Sequence, residues 1–248
     1  MIPKSHPRYK SLLLREKVVN GFEEGYVVPQ GLIAHGRGET FDYLLGEDSF
    51  DFALEAEKYA VKLLIEAKNP VISVNGNVAA LCPEEVVKLS ELTGAKIEIN
   101  LFYRTEERVK KIKEIFKKLG KDVLGDVPDA KIPGLEHARA LCTKDGIFSA
   151  DVVLLALEDG DRTEALKKMG KTVIAIDLNP LSRTARTADV TIVDEVTRAM
   201  NNMVKFAEDM GRGKLDYRGK FNNREILARS IIHINKRLKE IADGFLAQ

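Results

Sequence analysis

Hydrophobic positions along this chain occur in two patterns. The runs VISV, VVLLAL and TVIAI are short and almost wholly apolar. Continuous apolar runs are typical of strands that are covered on both faces, whereas a strand with one wet face alternates between apolar and polar residues. Longer segments between the runs place apolar residues three and four positions apart, which predicts amphipathic helices. The alternation of the two patterns predicts a Rossmann-like α/β fold, a parallel sheet with helices on both faces.

From residue 51 onward this pattern predicts a regular succession of elements. We expect helices over residues 51–68, 83–93, 105–119, 135–144 and 162–169. We expect strands over residues 71–74, 96–101, 151–157, 172–176 and 190–193, and a short strand near Val123. Crossovers between parallel strands are right-handed, so the loops that follow the strands emerge at one edge of the sheet. Open α/β sheets bind their ligands at that edge.

The segments before and after this core have patterns of their own. Residues 8–20 have helical spacing and end at Asn20 and Gly21, so they predict an N-terminal helix. Residues 31–47 hold four glycines and no clean period, which predicts ordered loop and short turns packed on the core. We therefore expect one structural unit in three parts, which are residues 1–50, the core over 51–199 and a helical extension over 200–248.

The C-terminal extension carries apolar residues at alternating spacings of four and three. They are Leu227, Ile231, Ile234, Leu238, Ile241 and Phe245. Such a seam is typical of a helix laid on a core and also of a helix that pairs with a second copy of the chain. The pattern alone leaves both interpretations open.

Composition narrows the range of partners. The chain has 248 residues, of which 44% are hydrophobic, enough for a sizeable core. Lys and Arg number 39 and Asp and Glu 38, so the net charge of +1 predicts no general attraction to nucleic acid or to an anionic membrane. We expect a cytoplasmic protein, because the sequence has no targeting segment and no apolar run near the 18 or so residues that cross a membrane. Cys82 and Cys142, expected at a loop–helix junction and at a helix end, have no metal-binding spacing.

Polar and charged loops follow the predicted strands. Arginine recurs in them, at Arg104, Arg162, Arg183 and Arg186, and Arg15, Arg37 and Lys171 lie on segments that can reach the same edge. Any one such loop is explained by ordinary turn chemistry. Arginines converging on one edge indicate a site for phosphates or carboxylates, which a guanidinium group binds through two parallel hydrogen bonds. Neither GxxxxGK[ST] nor GxGxxG is present, which disfavours a P-loop ATPase and an orthodox dehydrogenase.

Several strings, taken together and in order, carry a family resemblance. They are HPRYKSLLLRE, GLIAHGRGETFDYLLGE, PVISVNGNVAAL, EINLFYRTEER, LEDGDRTEAL and AIDLNPLSRTAR. The set resembles the archaeal phosphopantothenate synthetases, also called 4-phosphopantoate:β-alanine ligases, over residues 6–198. The tail from Met200 matches less clearly.

The resemblance implies a homodimeric, Rossmann-like ligase of coenzyme A biosynthesis. Such an enzyme joins 4-phosphopantoate to β-alanine with ATP and Mg²⁺, and releases AMP and pyrophosphate through an acyl adenylate. Because both steps bring anionic groups together, catalysis is expected to rest on positioning and on charge stabilisation. By this resemblance Arg37, Arg104 and Asp159 are the expected catalytic residues.

The resemblance also implies binding residues. For ATP they are Arg15, Arg37, Asp177, Leu178, Asn179, Arg183, Thr184, Glu195 and Val196. Family members often carry Asn where this chain has Glu195, so a backbone contact is expected there. For the acid substrate they are Asn75, Asn77 and Arg104. Glu39, Asp42 or Asp159 would accept the β-alanine ammonium group, and Glu158 or Asp159 would hold Mg²⁺.

Two alternatives come from other functional classes. One is a regulatory protein that senses ATP on the same loops without turning it over. The other is an α/β enzyme that binds a phosphometabolite and performs no ATP chemistry.

Overall fold

A computed structural model describes residues 2–247 and has at its centre a five-stranded parallel sheet. The sheet strands are β1 (Pro70–Val74), β2 (Lys96–Ile99), β5 (Val152–Ala156), β6 (Thr172–Ile176) and β7 (Val190–Ile192), in the spatial order β2-β1-β5-β6-β7. A separate antiparallel pair joins β3 (Ala130–Lys131) to β4 (Leu141–Cys142). The predicted Rossmann-like α/β class is confirmed.

Helices cover both faces of the sheet. They are α1 (Tyr9–Glu23), α2 (Pro29–Leu45), α3 (Asp51–Glu66), α4 (Gly76–Leu81), α5 (Pro83–Thr93), α6 (Glu106–Lys118), α7 (Gly160–Lys168), α8 (Arg183–Thr187), α9 (Val196–Gly211) and α10 (Asn223–Leu246). No helix within residues 2–247 is both long enough and apolar enough to cross a membrane.

The strands are buried on both faces, as their continuous apolar runs predict. Along β6, Ile174 and Ile176 belong to a core cluster that includes residues of α3, α5 and α9. Val173 and Ala175 belong to a second cluster, which includes residues of α7 and of the segment that carries β4. Successive side chains of a strand point to opposite faces, so one strand supplies both cores.

The order of the strands creates a switch point between β1 and β5. The chain passes from β1 to its neighbour β2 on one side, and then crosses to β5 on the other side of β1. The crossovers therefore run in opposite directions from the gap between these two strands, and a crevice opens at their carboxyl ends.

The loop predicted over residues 31–47 is wrong, because α2 occupies most of it. Pro29 lies in the first turn of the helix, and Gly46 ends it in a left-handed conformation with φ of 117°. Gly31 allows a close approach, since a Cβ atom there would lie 2.2 Å from Oδ1 of Asn77 in α4. The glycines in this segment predict turns, but Gly31 instead allows α2 to pack closely against α4.

The helix predicted over residues 135–144 is also wrong. Residues Ala138–Ala140 form a 3₁₀ turn, and Cys142 lies in β4 rather than at a helix end. The side-chain nitrogen Nδ2 of Asn100 donates to the carbonyl groups of Arg139 (3.1 Å) and Leu141 (3.0 Å), which holds this segment in a non-helical path. Near Val123, the predicted strand is reduced to a single bridge between Glu98 and Leu124. The short helices α4 and α8 are not predicted by the sequence pattern.

Candidate active site

A cavity of about 510 Å³ opens at the carboxyl edge of the sheet. Its floor is formed by the residues that follow β5, β6 and β7, and α2 covers it from the opposite side. Phe102 and Tyr103, which follow β2, close one end. Ten residues of the predicted site line this cavity, and they are Arg37, Glu39, Asp42, Glu158, Asp159, Asp177, Leu178, Asn179, Glu195 and Val196.

The loop after β6 is shaped by its own side chains. Oδ1 of Asp177 accepts a hydrogen bond from the backbone N–H of Asn179 at 2.9 Å, and Oδ2 accepts one from the hydroxyl of Ser182. Burial raises the pKa of Asp177. Oδ1 of Asn179 accepts from the backbone N–H of Leu181 at 2.9 Å. Because these polar atoms fix the turn, Leu178 and the loop backbone are presented to the cavity in a defined geometry.

The segment after β7 starts α9 with a buried acidic cap. Oε2 of Glu195 accepts hydrogen bonds from the backbone N–H groups of Thr197 (2.9 Å) and Arg198 (3.2 Å), and burial raises the pKa of Glu195. The side chain is thus committed to the helix start. Val196 is buried beside it and contributes apolar surface to the cavity.

Helix α2 is tied to this segment by Arg198. Its guanidinium group donates to both carboxylate oxygens of Asp42, at 2.5 and 3.0 Å, and to Oδ1 of Asp194 at 2.9 Å. Burial lowers the pKa of Arg198, but the hydrogen bond to Asp42 and the charge of Asp194 raise it above its usual value. Asp42 therefore joins the cover of the cavity to its floor.

Glu39 and Arg37 occupy neighbouring positions on α2 with different surroundings. Glu39 accepts hydrogen bonds from Arg8, Arg15 and Tyr43. Burial raises the pKa of Glu39, but the hydrogen bonds from Arg15 and Tyr43 bring it below its usual value. Arg37 is exposed and lines the cavity, and it forms no ion pair with any residue in the described part of the chain. Its guanidinium group is available for an anionic ligand.

The end of β5 carries a charged cluster. Leu157 has φ of 54°, an uncommon conformation for a non-glycine residue, and Glu158 follows it. The two carboxylate oxygens of Glu158 pair with Arg139 and with Nη1 of Arg162, the latter at 2.5 Å. Oδ1 of Asp159 accepts from the backbone N–H of Arg162 at 3.1 Å and so caps α7.

These contacts test the expected Mg²⁺ ligands. Both carboxylate oxygens of Glu158 are occupied by guanidinium groups and the side chain is 2% exposed, so Glu158 does not fit a metal ligand. Asp159 is 34% exposed. Its Oδ1 accepts the helix hydrogen bond, and its Oδ2 lies 3.4 Å from Nε of Arg139, a longer contact than those of Glu158. Mg²⁺ is commonly held by one or two carboxylates together with substrate phosphates. Asp159 therefore fits such an ion, whereas within residues 2–247 no group of three His, Cys, Asp or Glu side chains is arranged around a metal position.

Comparison with known proteins shows the family to which the chain belongs. The sequence profile of the phosphopantothenate/pantothenate synthetase family matches residues 52–237. The chain belongs to this family. It is 53% identical over 249 residues to the 4-phosphopantoate–beta-alanine ligase of Thermococcus onnurineus, 52% over 248 residues to that of Thermococcus kodakarensis, and 54% over 246 residues to that of Methanosarcina mazei. These alignments cover 97 to 98% of this chain and 95 to 97% of the relatives.

The residues predicted for the acid substrate, Asn75, Asn77 and Arg104, do not line the cavity. Asn75 caps α4 and donates to the carbonyl of Ala156 at 2.9 Å, across the gap between β1 and β5. Asn77 donates to the carbonyl of Gly31 at 2.9 Å. Arg104 donates to the carbonyls of Gly125 (2.5 Å) and Asp126 (3.1 Å). All three side chains stabilise the surrounding backbone.

Three residues predicted for ATP lie beside the cavity rather than on its lining. Arg15 forms a two-pronged contact with Glu39. Arg183 is 57% exposed and pairs with Asp161. Thr184 is buried and donates to the carbonyl of Glu158 at 3.0 Å. Their roles toward ATP stay predictions.

The cavity is also lined by residues that the sequence analysis does not assign to the site. Arg139 lies on its wall, as do Asp194 and Ser182. Arg139 was hidden within a predicted helix, where a lone arginine is usually a solvated surface residue. The position of Arg139 depends on the hydrogen bond that its backbone carbonyl accepts from Asn100. These residues are 39 positions apart, so no local sequence pattern indicates the contact.

Proposed function

We propose that this chain is an ATP-dependent ligase that joins 4-phosphopantoate to β-alanine and releases AMP and pyrophosphate. The observation that carries the proposal is that relatives named 4-phosphopantoate–beta-alanine ligase are 52 to 54% identical over nearly the whole chain. The product would enter coenzyme A biosynthesis. Since the reaction consumes ATP, we place it in the cytoplasm.

The floor of the cavity on the β6 and β7 side supports the assignment of the nucleotide. Leu178 and Val196 offer apolar surface to a base, and the fixed turn from Asp177 to Ser182 offers backbone polar groups. Arg37 lies on the cover above this floor and pairs with no carboxylate within residues 2–247. A guanidinium group there would stabilise negative charge that develops on the α-phosphate while the carboxylate attacks. Arg15 would join it by leaving Glu39.

The β-alanine ammonium group needs an acceptor, and the contacts of the predicted acids favour one of them. Glu39 already accepts from two arginines and a tyrosine, and Asp42 is engaged through both oxygens by Arg198. Asp159 caps α7 through Oδ1, and its Oδ2 forms only a longer contact, 3.4 Å from Nε of Arg139, so this oxygen can also face a cationic ligand. We therefore assign to Asp159 either the ammonium group or Mg²⁺, which when bound would neutralise phosphate charge.

Isotope exchange tests the acyl-adenylate mechanism directly. Purified chain is incubated with ATP, 4-phosphopantoate and labelled pyrophosphate, and β-alanine is left out. Formation of the adenylate is reversible, so label should enter ATP only when 4-phosphopantoate is present. With β-alanine added, AMP should form in equal amount to 4-phosphopantothenate. Release of ADP would contradict the mechanism, and tight ATP binding without any turnover would favour a sensor of ATP.

We also propose that the enzyme is a homodimer that pairs through α10. The first turn of α10 is buried at Ile226 and Leu227, but the later apolar residues are uncovered in the single chain. Ile232 is 65% exposed, Leu238 44% and Phe245 73%. Light scattering should give twice the chain mass of 27.6 kDa. Leu238→Glu should give the mass of one chain, Lys239→Glu on the polar side should not, and a single-chain mass for the unaltered protein would refute the pairing.

A further inference from the structure

Buried guanidinium groups accumulate at the end of the cavity near β2. Arg108, Arg139 and Arg162 are each no more than 9% exposed. Glu158 is shared between Arg139 and Arg162. Arg108 donates to the carbonyl groups of Tyr26 and Tyr103 and pairs with no carboxylate in the described part of the chain. Asp159 also pairs with Arg139, its Oδ2 lying 3.4 Å from Nε. Two carboxylates thus face three guanidinium groups, and an excess of positive charge remains.

Glu98, a further acid near this cluster, is engaged by backbone groups. Glu98 accepts hydrogen bonds from the backbone N–H groups of Thr143 (2.8 Å) and Ile147 (2.6 Å), and it forms no ion pair with a described residue. Burial raises the pKa of Glu98, which favours its neutral form. Asp159 lies 3.4 Å from Nε of Arg139, yet that nitrogen is buried without a hydrogen bond. An unpaired buried donor of this kind is costly unless a ligand satisfies it.

Arg139 is held where a ligand can reach it. Its backbone carbonyl is fixed by Asn100 at 3.1 Å, and its side chain lines the cavity next to Phe102 and Tyr103. This end of the cavity lies beyond β5, opposite the loops after β6 and β7 to which we assign ATP. This assignment rests on the proposed function: with ATP at the other end, the acid substrate binds at this end of the cavity.

We propose that Arg139 binds the phosphate group of 4-phosphopantoate, and that Glu158 and Arg162 are positioning residues for Arg139. A phosphate monoester carries up to two negative charges and matches the fork of a guanidinium group. Its binding supplies the missing counter-charge of the cluster. The substrate carboxylate then points back across β5 toward the nucleotide.

The positioning role follows from the chain of contacts behind Arg139. Glu158 holds Arg139 through one oxygen and Nη1 of Arg162 through the other, at 2.5 Å. Nη2 of Arg162 donates to the hydroxyl of Ser73 in β1 at 2.7 Å. The guanidinium group of Arg139 is thereby connected to the rigid centre of the sheet, and this connection limits its movement.

Binding measurements test the phosphate contact. Calorimetry gives the dissociation constants of 4-phosphopantoate and of ATP for the unaltered protein, Arg139→Met and a control, Arg229→Met, whose arginine pairs with Asp51 and Glu55 outside the cavity. Loss of a charged hydrogen-bond partner should weaken 4-phosphopantoate about 10- to 100-fold in Arg139→Met. The dissociation constant of ATP in Arg139→Met, and both dissociation constants in Arg229→Met, should change less than about twofold. Such a change is well below the effect of losing one charged hydrogen bond.

Each other result overturns the proposal. If Arg139→Met binds 4-phosphopantoate as the unaltered protein does, Arg139 does not contact the phosphate. If both ligands weaken by the same factor, the residue only supports the fold. Unaltered protein that binds ATP but not 4-phosphopantoate would overturn the proposed function itself, a failure visible before any variant is made.

Steady-state kinetics test the positioning role. In Arg162→Met the KM for 4-phosphopantoate should rise several-fold while the KM for ATP stays unchanged, and Arg162→Lys should restore part of the loss because it keeps a cation against Glu158. Equal changes in both KM values, or no rescue by lysine, would refute a role in positioning Arg139.

Discussion

Replacement of Glu158 by glutamine removes a buried carboxylate that two guanidinium groups share. The side chain is 2% exposed and that of Arg162 is 1% exposed, so solvent cannot replace the lost charge. Glutamine keeps the shape, but its NH₂ group must face one of the two arginines. Arg162 then retains the hydroxyl of Ser73 at 2.7 Å as its side-chain partner.

The expected loss follows from this arrangement. Removal of one partner of a buried ion pair costs about 3–5 kcal/mol, because the other charge is left uncompensated. For a chain of this length that corresponds to a fall in Tm of roughly 6–20 °C. Arg162→Met should cost less, about 1.5–3 kcal/mol, because Glu158 keeps its pair with Arg139. Glu158→Leu combined with Arg162→Met should recover only part of the stability. Apolar replacement of a complete buried pair is often neutral, but here buried Arg139 keeps only its 3.4 Å contact with Asp159.

Urea unfolding followed by circular dichroism measures these differences, provided that the m-values agree among variants. The predicted order of free energies of unfolding, from highest to lowest, is unaltered protein, Arg162→Met and Glu158→Gln. A loss below about 1 kcal/mol in Glu158→Gln would mean that the cluster is hydrated or rearranged, because an exposed ion pair contributes no more than that. A larger loss in Arg162→Met than in Glu158→Gln would refute the sharing of one carboxylate by two arginines.

Three further predictions concern the rest of the site. Arg198→Met should lower the free energy of unfolding by about 3–5 kcal/mol, because it leaves buried Asp42 unpaired, and Asp42→Asn should recover part of that loss in a double-variant cycle measured in urea. Glu57 is a buried residue of α3 near Asp194, and burial raises its pKa. The folded state therefore keeps a proton that the unfolded state loses first, and stability falls as pH rises above the usual pKa of glutamic acid, so the stability gained in Glu57→Gln should be larger at pH 8 than at pH 5. A smaller gain at pH 8 would contradict the raised pKa. Arg183→Ala should weaken ATP binding in calorimetry by about 1.5–3 kcal/mol, because the exposed pair with Asp161 holds Arg183 only weakly, and an unchanged affinity would remove it from the ATP site.

The sheet and its ligand-binding edge could be predicted because they depend on local pattern. The strands at Val152–Ala156 and Thr172–Ile176 are continuous apolar runs, and burial on both faces leaves no other arrangement for them. The polar loops that follow them then fall on one edge by the handedness of crossovers. Asp177 and Asp159 both follow such strands, and the family resemblance then gave them their expected roles.

The cover of the cavity and its cationic end could not be predicted in the same way, because they depend on contacts between distant residues. The sequence pattern predicts Gly31 to be a turn residue, whereas in the structure it allows the close approach of Asn77. Arg108 lies on an amphipathic helix whose charged positions are mostly solvated, yet it is buried against the carbonyl of Tyr26, 82 positions away. Periodicity predicts which face of an element is buried, but not which polar side chain is buried with it.

The two ends of the cavity differ in how their cations are held, and the difference bears on catalysis. Arg37 is exposed and unpaired among residues 2–247, whereas Arg139 is buried and fixed through Glu158 to the sheet. A fixed guanidinium group costs no reorganisation when a phosphate monoester binds, so it suits the part of the substrate that does not react. A free guanidinium group can follow charge that moves from ground state to transition state. Under the proposed assignments, this arrangement would anchor the acid substrate at one end and leave the adjustable cation at the end where the α-phosphate reacts. Binding energy gained far from the reacting atoms would then serve to position them.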